Sequence, residues 1–111
     1  MNFEDKIKEL KIELPDAKAP VGSYVATKIS GKLLYVSGQI SINSNGELIK
    51  GKVGEDLTTE DFTEQPKVIN GASDLVASIF GDAGMHTRAA VSTNSLPLGV
   101  SVEVDAIFEL N

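Results

Sequence analysis

The chain has 111 residues, one histidine and no cysteine, which excludes disulfides and thiolate chemistry and argues against a bound metal such as zinc. Its formal charge of −6 and its scattered lysines lack the clustered basic residues that replace counterions on phosphates, so we expect no nucleic acid partner. No apolar run approaches the ~20 residues of a membrane helix, and the charged N-terminus is unlike a signal peptide. We therefore expect a cytoplasmic protein that does not contact a membrane.

Two helices are predicted from the spacing of apolar residues. Residues 2–14 and 66–80 repeat apolar side chains at intervals of three and four, as on one face of a helix. Asn2 can cap the first helix and Pro15 ends it, while Gly81 ends the second. The first helix forms an N-terminal extension over residues 1–15.

The other predicted elements are strands. The Asn-Gly pair at Asn45 predicts a hairpin, residues 51–59 are irregular, and the last strand alternates apolar and polar residues with a period of two. Helices and strands intermix, which predicts a single α+β domain over residues 1–111 with a mainly antiparallel sheet. The predicted strands cover residues 24–29, 33–42, 47–49, 88–93 and 100–109.

Arg88 is the most informative residue, because it is the only arginine and the other nine basic side chains are lysines. Arginine binds a carboxylate through two parallel hydrogen bonds, whereas lysine offers a mobile point charge. Arg88 opens an apolar stretch, and Glu103 lies inside the next predicted strand. This arrangement predicts a site for a small carboxylate, with a structural ion pair of Arg88 as the alternative.

Five further residues have both a functional and a structural interpretation. Glu103 is either aimed at a substrate pocket or part of a solvated face that it shares with Ser101 and Asp105. Tyr24 either holds a ligand or anchors a strand, and Asn70 either points its amide at a ligand or is a solvated helix residue.

Ser37 and Gly38 interrupt an apolar strand, which marks either a bulge or the close approach of a ligand. His86 has no obvious partner in the sequence and is interpreted as a loop histidine. No nucleophile elbow, phosphate-binding glycine loop or dinucleotide motif is present.

Taken together, these segments resemble the Rid family, also called YjgF-like or endoribonuclease L-PSP, whose members include reactive-intermediate imine deaminases. The resemblance covers nearly the whole chain, and the N-terminal helix with residues 51–57 (GKVGEDL) and 66–72 (PKVINGA) is similar to a bacterial subgroup. The motifs that carry the family resemblance are residues 19–24 (APVGSY), 34–39 (LYVSGQ), 88–97 (RAAVSTNSLP) and 102–107 (VEVDAI).

The resemblance implies a chorismate-mutase-like α+β fold, with a sheet packed by helices, and a homotrimer with sites in the clefts between subunits. It implies hydrolysis of 2-imino or 2-enamino acids to 2-oxo acids and ammonia without a cofactor. By the same resemblance Arg88 would bind the substrate carboxylate and Glu103 the attacking water, while Tyr24, Ser37, Gly38 and Asn70 would form the rest of the pocket. A non-catalytic trimer that binds a small carboxylate is the alternative.

The chain departs from the family pattern after Glu60. There the family continues with a helix and a strand, roughly 30–40 residues with their connections, whereas this chain passes directly to residues 61–66 (DFTEQP). Such a loss would uncover one face of the sheet and open a new edge. The sequence leaves open whether the deletion is genuine, how the sheet is completed and which substrate is bound.

Overall fold

The computed structural model describes residues 2–17, 19–20, 22–51 and 65–111. Its helices are α1 (Phe3–Glu9) and α2 (Gln65–Phe80), and its strands are β1 (Thr27–Ser30), β2 (Leu33–Ile40) and β3 (Glu103–Glu109). Two short 3₁₀ turns, Gly81–Gly84 and Pro97–Gly99, complete the order. The chain has the α+β class with an antiparallel sheet that the sequence predicts.

The chain divides into two compact units, each built from two separate stretches of sequence. One unit is Met1–Leu14 with Val53–Asn94 and contains both helices, and the other is Pro15–Lys52 with Ser95–Asn111 and contains the sheet. The single domain over residues 1–111 stays a prediction.

Helix α1 is capped at both ends by local hydrogen bonds. The Asn2 side chain accepts from the backbone N–H of Asp5 at 2.8 Å, which confirms the predicted N-cap. The helix ends at Glu9, earlier than predicted, because Lys11 adopts φ 54 and its N–H and that of Ile12 turn back to Lys8 and Ile7. This is a Schellman motif with lysine where glycine is usual.

Replacing Lys11 with glycine is expected to stabilise α1. Removing a side chain from the left-handed region relieves roughly 1–2 kcal/mol, and the extra freedom of glycine in the unfolded chain offsets ~0.4–1 kcal/mol of that. We expect Lys11→Gly to raise the melting temperature by about 2–6 °C, followed by circular dichroism. Lys8→Gly, inside the helix, is the control and should lower it; a decrease in both variants would contradict this account of Lys11.

Helix α2 packs its apolar face against α1 and against the turn that follows it. The rings of Phe3 and Phe80 meet edge to face with centroids 4.6 Å apart. Gly81 has φ 60 where the helix ends, as predicted. Gly84 is buried, and a Cβ there would lie 2.7 Å from the Val76 carbonyl oxygen, so only glycine allows the turn to approach α2 this closely.

The sheet has the order β1-β2-β3 with both pairs antiparallel. Strand β2 pairs with β1 from Thr27↔Val36 to Ser30↔Leu33, and with β3 from Leu33↔Glu109 to Ile40↔Glu103. The register shifts between Val36 and Gln39, so the bulge considered for Ser37 and Gly38 is present.

The predicted hairpin after β2 forms as a short bridged turn. Ile42 bridges Leu48, and the Gly46 N–H donates to the Asn43 carbonyl, so Gly46 is the fourth residue of this turn and takes the left-handed φ of 78 that glycine favours. The Asn43 side chain accepts from the N–H groups of Asn45 and Glu47, which fixes the loop.

The strands differ from the sequence prediction in several places, and β2 ends at Ile40 instead of residue 42. Residues 88–93 are not part of a strand, because a ladder needs a neighbouring backbone and the sheet of the described residues consists of β1, β2 and β3. The first strand begins at Thr27 instead of residue 24, and the last at Glu103 instead of residue 100. The predicted irregular stretch 51–59 lies outside the described residues except for Gly51. The departure from the family pattern after Glu60 also lies outside them.

Candidate functional site

Arg88 lies along the N-terminal half of α2 and is held there by three hydrogen bonds. Nη1 donates to Ser73 Oγ at 2.9 Å, and Nη2 donates to Asn70 Oδ1 at 2.8 Å and to the Pro66 carbonyl oxygen at 3.1 Å. Residues 66, 70 and 73 are four and three positions apart, so the helix presents these acceptors on one face. The structure therefore brings Arg88 and Asn70 together, although residues 88–93 are not a strand.

The three partners of Arg88 are neutral oxygens. No carboxylate in the described ranges lies within ion-pair distance of the guanidinium; the ion pair found there joins Lys6 and Glu9. The structural ion pair considered for Arg88 is thus absent from these ranges. An arginine that is oriented but not neutralised can attract an anionic ligand.

The hydrogen bonds of Arg88 also determine how a carboxylate can reach it. A guanidinium has five N–H donors, and three are used here. A carboxylate can form two parallel bonds to a guanidinium either through Nε and Nη2 or through Nη1 and Nη2. Each arrangement needs one hydrogen of Nη2, and both of these hydrogens are already bonded. A carboxylate can bind with two parallel bonds only by replacing Asn70 Oδ1 or the Pro66 carbonyl, and the side chain of Asn70 is the more mobile of the two.

His86 has two partners, contrary to its interpretation as a loop histidine without any. Nδ1 lies 2.6 Å from the Gly84 carbonyl oxygen, and Nε2 lies 3.0 Å from Ser73 Oγ. Sequence reasoning missed Ser73 altogether. The available signal was its spacing of three from Asn70 on the same helix.

A second cluster lies in the sheet unit, where Glu103 covers Gly38. A Cβ on residue 38 would lie 2.8 Å from Glu103 Cδ, so the glycine of the bulge makes room for this carboxylate. Gly38, Leu96, Glu103 and Asp105 line an open depression of about 320 Å³. Glu103 is half-buried and, among the described side chains, has no hydrogen-bond partner, so its oxygens are available to a water molecule.

Ser37 and Tyr24 belong to the same unit. The Ser37 N–H donates to the Ala26 carbonyl at 2.9 Å, and Gln39 Nε2 lies 3.1 Å from the Ser37 carbonyl and 3.5 Å from its hydroxyl. Tyr24 is 52% exposed, and its ring lies against Gly22. The roles of both residues in a pocket stay predictions.

The described ranges show neither a membrane-spanning helix nor a cluster of metal ligands. No helix there is both long and apolar enough to cross a bilayer. No group of three or more histidine or acidic side chains there could hold a metal ion.

Comparison with known proteins gives relatives along nearly the whole chain, although no family model matches it. Protein TCP17 from Trypanosoma cruzi is 35% identical over 95% of this chain and 92% of its own. A candidate regulator, AldR, from Lactococcus lactis is 33% identical over 86% of this chain and 93% of its own. The rat 2-iminobutanoate/2-iminopropanoate deaminase is 28% identical over 86% of both chains.

Solved structures share the fold. A protein of unknown function from Agrobacterium tumefaciens matches with a TM-score of 0.82 and 34% identity, over 98% of this chain and 94% of that one. A candidate endoribonuclease from Shewanella oneidensis matches with a TM-score of 0.91 and 25% identity, over 99% and 100%.

The alignment with the Trypanosoma cruzi protein also bears on the departure after Glu60. It extends over 147 positions, whereas the whole chain has 111 residues, so at least 36 positions (147 less 111) face gaps in this chain. This total is similar to the roughly 30–40 residues of the helix and strand that the family pattern has after Glu60.

Proposed function

Because this chain belongs to the Rid (YjgF-like) family, we propose that it hydrolyses small 2-imino and 2-enamino acids to 2-oxo acids and ammonia. The observation that supports this most is the guanidinium of Arg88, which is oriented by three neutral oxygens and paired with no described carboxylate. The bacterial subgroup and the cytoplasmic location stay predictions.

In this proposal Arg88 binds the substrate carboxylate by exchange. One carboxylate oxygen replaces Asn70 Oδ1 at Nη2, while Ser73 and Pro66 continue to hold the guanidinium. The Asn70 amide is then free to donate an N–H to the substrate. The exchange costs little, because one acceptor on the guanidinium is replaced by another that carries a full charge.

Glu103 has the second role, which is to hold the attacking water. The water oxygen adds to the carbon of the protonated imine, and one water proton passes to the Glu103 carboxylate, which gives a carbinolamine. Glu103 returns this proton to the amine nitrogen, the C–N bond breaks with loss of ammonia, and the hydroxyl releases its proton to solvent as the C=O bond of the 2-oxo acid forms. No electrons are exchanged, so the step needs no redox cofactor, and positioning of water and substrate can supply a large part of the barrier reduction. Tyr24, Ser37 and Gly38 would line the pocket.

Replacing Glu103 with glutamine tests this role. General base catalysis contributes about 10²- to 10⁴-fold, so we expect Glu103→Gln to reduce kcat by that factor with a small change in KM. The measurement is release of 2-oxobutyrate and ammonia from freshly generated 2-iminobutyrate, compared with spontaneous hydrolysis. Glu47→Gln, at an exposed glutamate of the turn after β2, is the control and should keep wild-type turnover. Absence of catalysis by the wild-type protein would reject the deaminase proposal.

We also propose that the chain forms a homotrimer through the sheet face that carries Tyr35 and Ile107. These residues are paired across β2 and β3, share their face with Leu33, and are 43%, 63% and 38% exposed. Val100, at 4% exposure, is the one buried hydrophobic side chain in the described part, which is little core for a chain of this length. Association through this face would supply the missing burial.

Ile107→Glu is expected to dissociate the trimer. Burying an isoleucine contributes roughly 1.5–3 kcal/mol per copy, and a carboxylate in its place must be desolvated. Light scattering should give trimer mass for the wild type and monomer mass for Ile107→Glu at micromolar concentration. Ile29→Glu is the control, because Ile29 is similarly exposed at 59% but lies on the opposite face of the sheet. A monomeric wild type would reject the proposed interface.

A second function, binding of a small carboxylate without turnover, is favoured by the alignment gap. At least 36 positions of the Trypanosoma cruzi relative have no counterpart here, and a segment of that size can contribute to a catalytic cleft. The relative named as a candidate regulator is compatible with such a role. Ribonuclease activity is the weakest of the three, since a charge of −6 opposes binding to phosphates.

A further inference from the structure

With a neutral His86 ring, the hydrogen bonds around Ser73 have a single consistent direction. A carbonyl oxygen can only accept, so the 2.6 Å contact with Gly84 requires the proton of His86 on Nδ1. In the neutral ring Nε2 is then an acceptor, and the Ser73 hydroxyl donates to it across 3.0 Å. The same hydroxyl oxygen accepts from Arg88 Nη1 at 2.9 Å. The chain of donors therefore runs from Arg88 to Ser73, from Ser73 to His86, and from His86 to Gly84.

We propose that Ser73 and His86 are positioning residues that fix the guanidinium of Arg88 for its ligand. For the identity of the ligand this inference rests on the proposed function, but the geometry does not depend on it. A serine hydroxyl rotates freely unless its hydrogen is directed. His86 directs it, so the lone pairs of Oγ face Arg88.

The far end of this chain is anchored by packing. Gly84 is buried, a Cβ on it would lie 2.7 Å from the Val76 carbonyl oxygen, and the Met85 N–H donates to the Asp82 carbonyl. The Gly84 carbonyl is thereby held in a defined place, and it orients the ring of His86. The position of Arg88 is thus linked to the end of α2 as well as to its beginning.

This anchoring matters most when a ligand binds. Exchange at Nη2 removes the Asn70 bond and leaves Ser73 and Pro66 to hold the guanidinium. Ser73 is the remaining side-chain partner. Without it, a bound carboxylate would have to order a mobile arginine, and the affinity would fall accordingly.

The sequence provides two unambiguous spectroscopic reporters, because it contains one arginine and one histidine. In ¹⁵N-labelled wild-type protein in mildly alkaline buffer, we expect His86 to carry its proton on Nδ1. We also expect separate signals for the Nη hydrogens of Arg88, which report hindered rotation of the guanidinium. A proton on Nε2, or averaged Nη signals in the wild type, would overturn the inference.

Substitutions separate positioning from a purely structural role. Ser73→Ala should average the Nη signals and weaken binding of 2-oxobutyrate roughly 3- to 10-fold, while Ser78→Ala on the same helix should do neither. His86→Gln keeps an acceptor where Nε2 lies, whereas His86→Asn keeps a donor where Nδ1 lies. Positioning predicts that the glutamine variant retains more affinity. Equal affinity in Ser73→Ala and wild type, or better retention by His86→Asn, would overturn it.

The outcome for the proposed function is distinct. Suppose that the wild-type protein shows the expected spectra, and Ser73→Ala the averaged Nη signals, but the protein neither binds 2-oxobutyrate nor hydrolyses imines. This result would support the positioning role of Ser73 and His86 and reject the proposed ligand. Hydrolysis of imines together with the other tautomer of His86 would support the proposed function and reject the positioning role of Ser73 and His86.

Discussion

Arg88→Lys is expected to weaken the binding of 2-oxobutyrate by about 10- to 150-fold while the chain stays folded. Lysine keeps the positive charge but cannot bind Ser73, Asn70 and Pro66 in one plane, nor offer two parallel donors to a carboxylate. Losing one hydrogen bond to a charged group costs ~1.5–3 kcal/mol, which gives the stated range. Isothermal titration with 2-oxobutyrate measures the loss directly.

The same variant distinguishes the two proposed functions. A deaminase loses imine turnover in Arg88→Lys, whereas a binding protein has no turnover even as wild type and loses affinity alone. Arg88→Gln, which removes the positive charge as well, should bind 2-oxobutyrate even more weakly than Arg88→Lys. If Arg88→Lys lowered only the melting temperature and left ligand binding unchanged, Arg88 would be a structural residue and the site would lie elsewhere.

Asn70→Asp should prevent carboxylate binding almost completely, with a loss of about 100-fold or more. The new carboxylate would pair with Nη2, where Asn70 Oδ1 now lies at 2.8 Å, and occupy the position proposed for the ligand. It would also repel the ligand, since two like charges ~4 Å apart near a protein surface cost between about 1 and 4 kcal/mol. Because the pair is exposed, we expect little change in stability.

Asn70→Ala is the matched control for this effect. It vacates Nη2 without adding charge, so its affinity should stay within about fivefold of wild type, a difference of under ~1 kcal/mol. Titration of both variants with 2-oxobutyrate at two salt concentrations completes the measurement, because the repulsive part of the Asn70→Asp effect should weaken with added salt. Equal affinities in the two variants would show that the ligand does not exchange with Asn70.

Sequence patterns predicted the elements whose stability is local. Helix α2 and the hairpin after β2 follow from apolar spacing and from the Asn-Gly turn, and both are present. The pairing of Arg88 with Asn70 could also be predicted, because both residues were predicted from the sequence to lie at one ligand site. Glu103 lying over Gly38 follows from the bulge, which the sequence left as one of two alternatives.

What the patterns missed depends on contacts distant in sequence or on backbone torsion. Residues 88–93 have strand-like composition, but a strand exists only where another backbone completes its hydrogen bonds. Helix α1 ends early because Lys11 enters the left-handed region, which composition does not favour. Ser73 and His86 are 13 positions apart, and their bond depends on where the turn at Gly84 places the ring.

The register of β2 with β3 has a kinetic consequence. Leu33 pairs with Glu109, so the first bond of this ladder closes a loop that includes most of the chain. The chain loses conformational entropy when this loop closes, before any packing contacts form. Folds dominated by such distant contacts therefore refold in milliseconds to seconds. Until β3 arrives, β2 has an unpaired edge rich in apolar residues, and refolding at high concentration should favour aggregation over recovery.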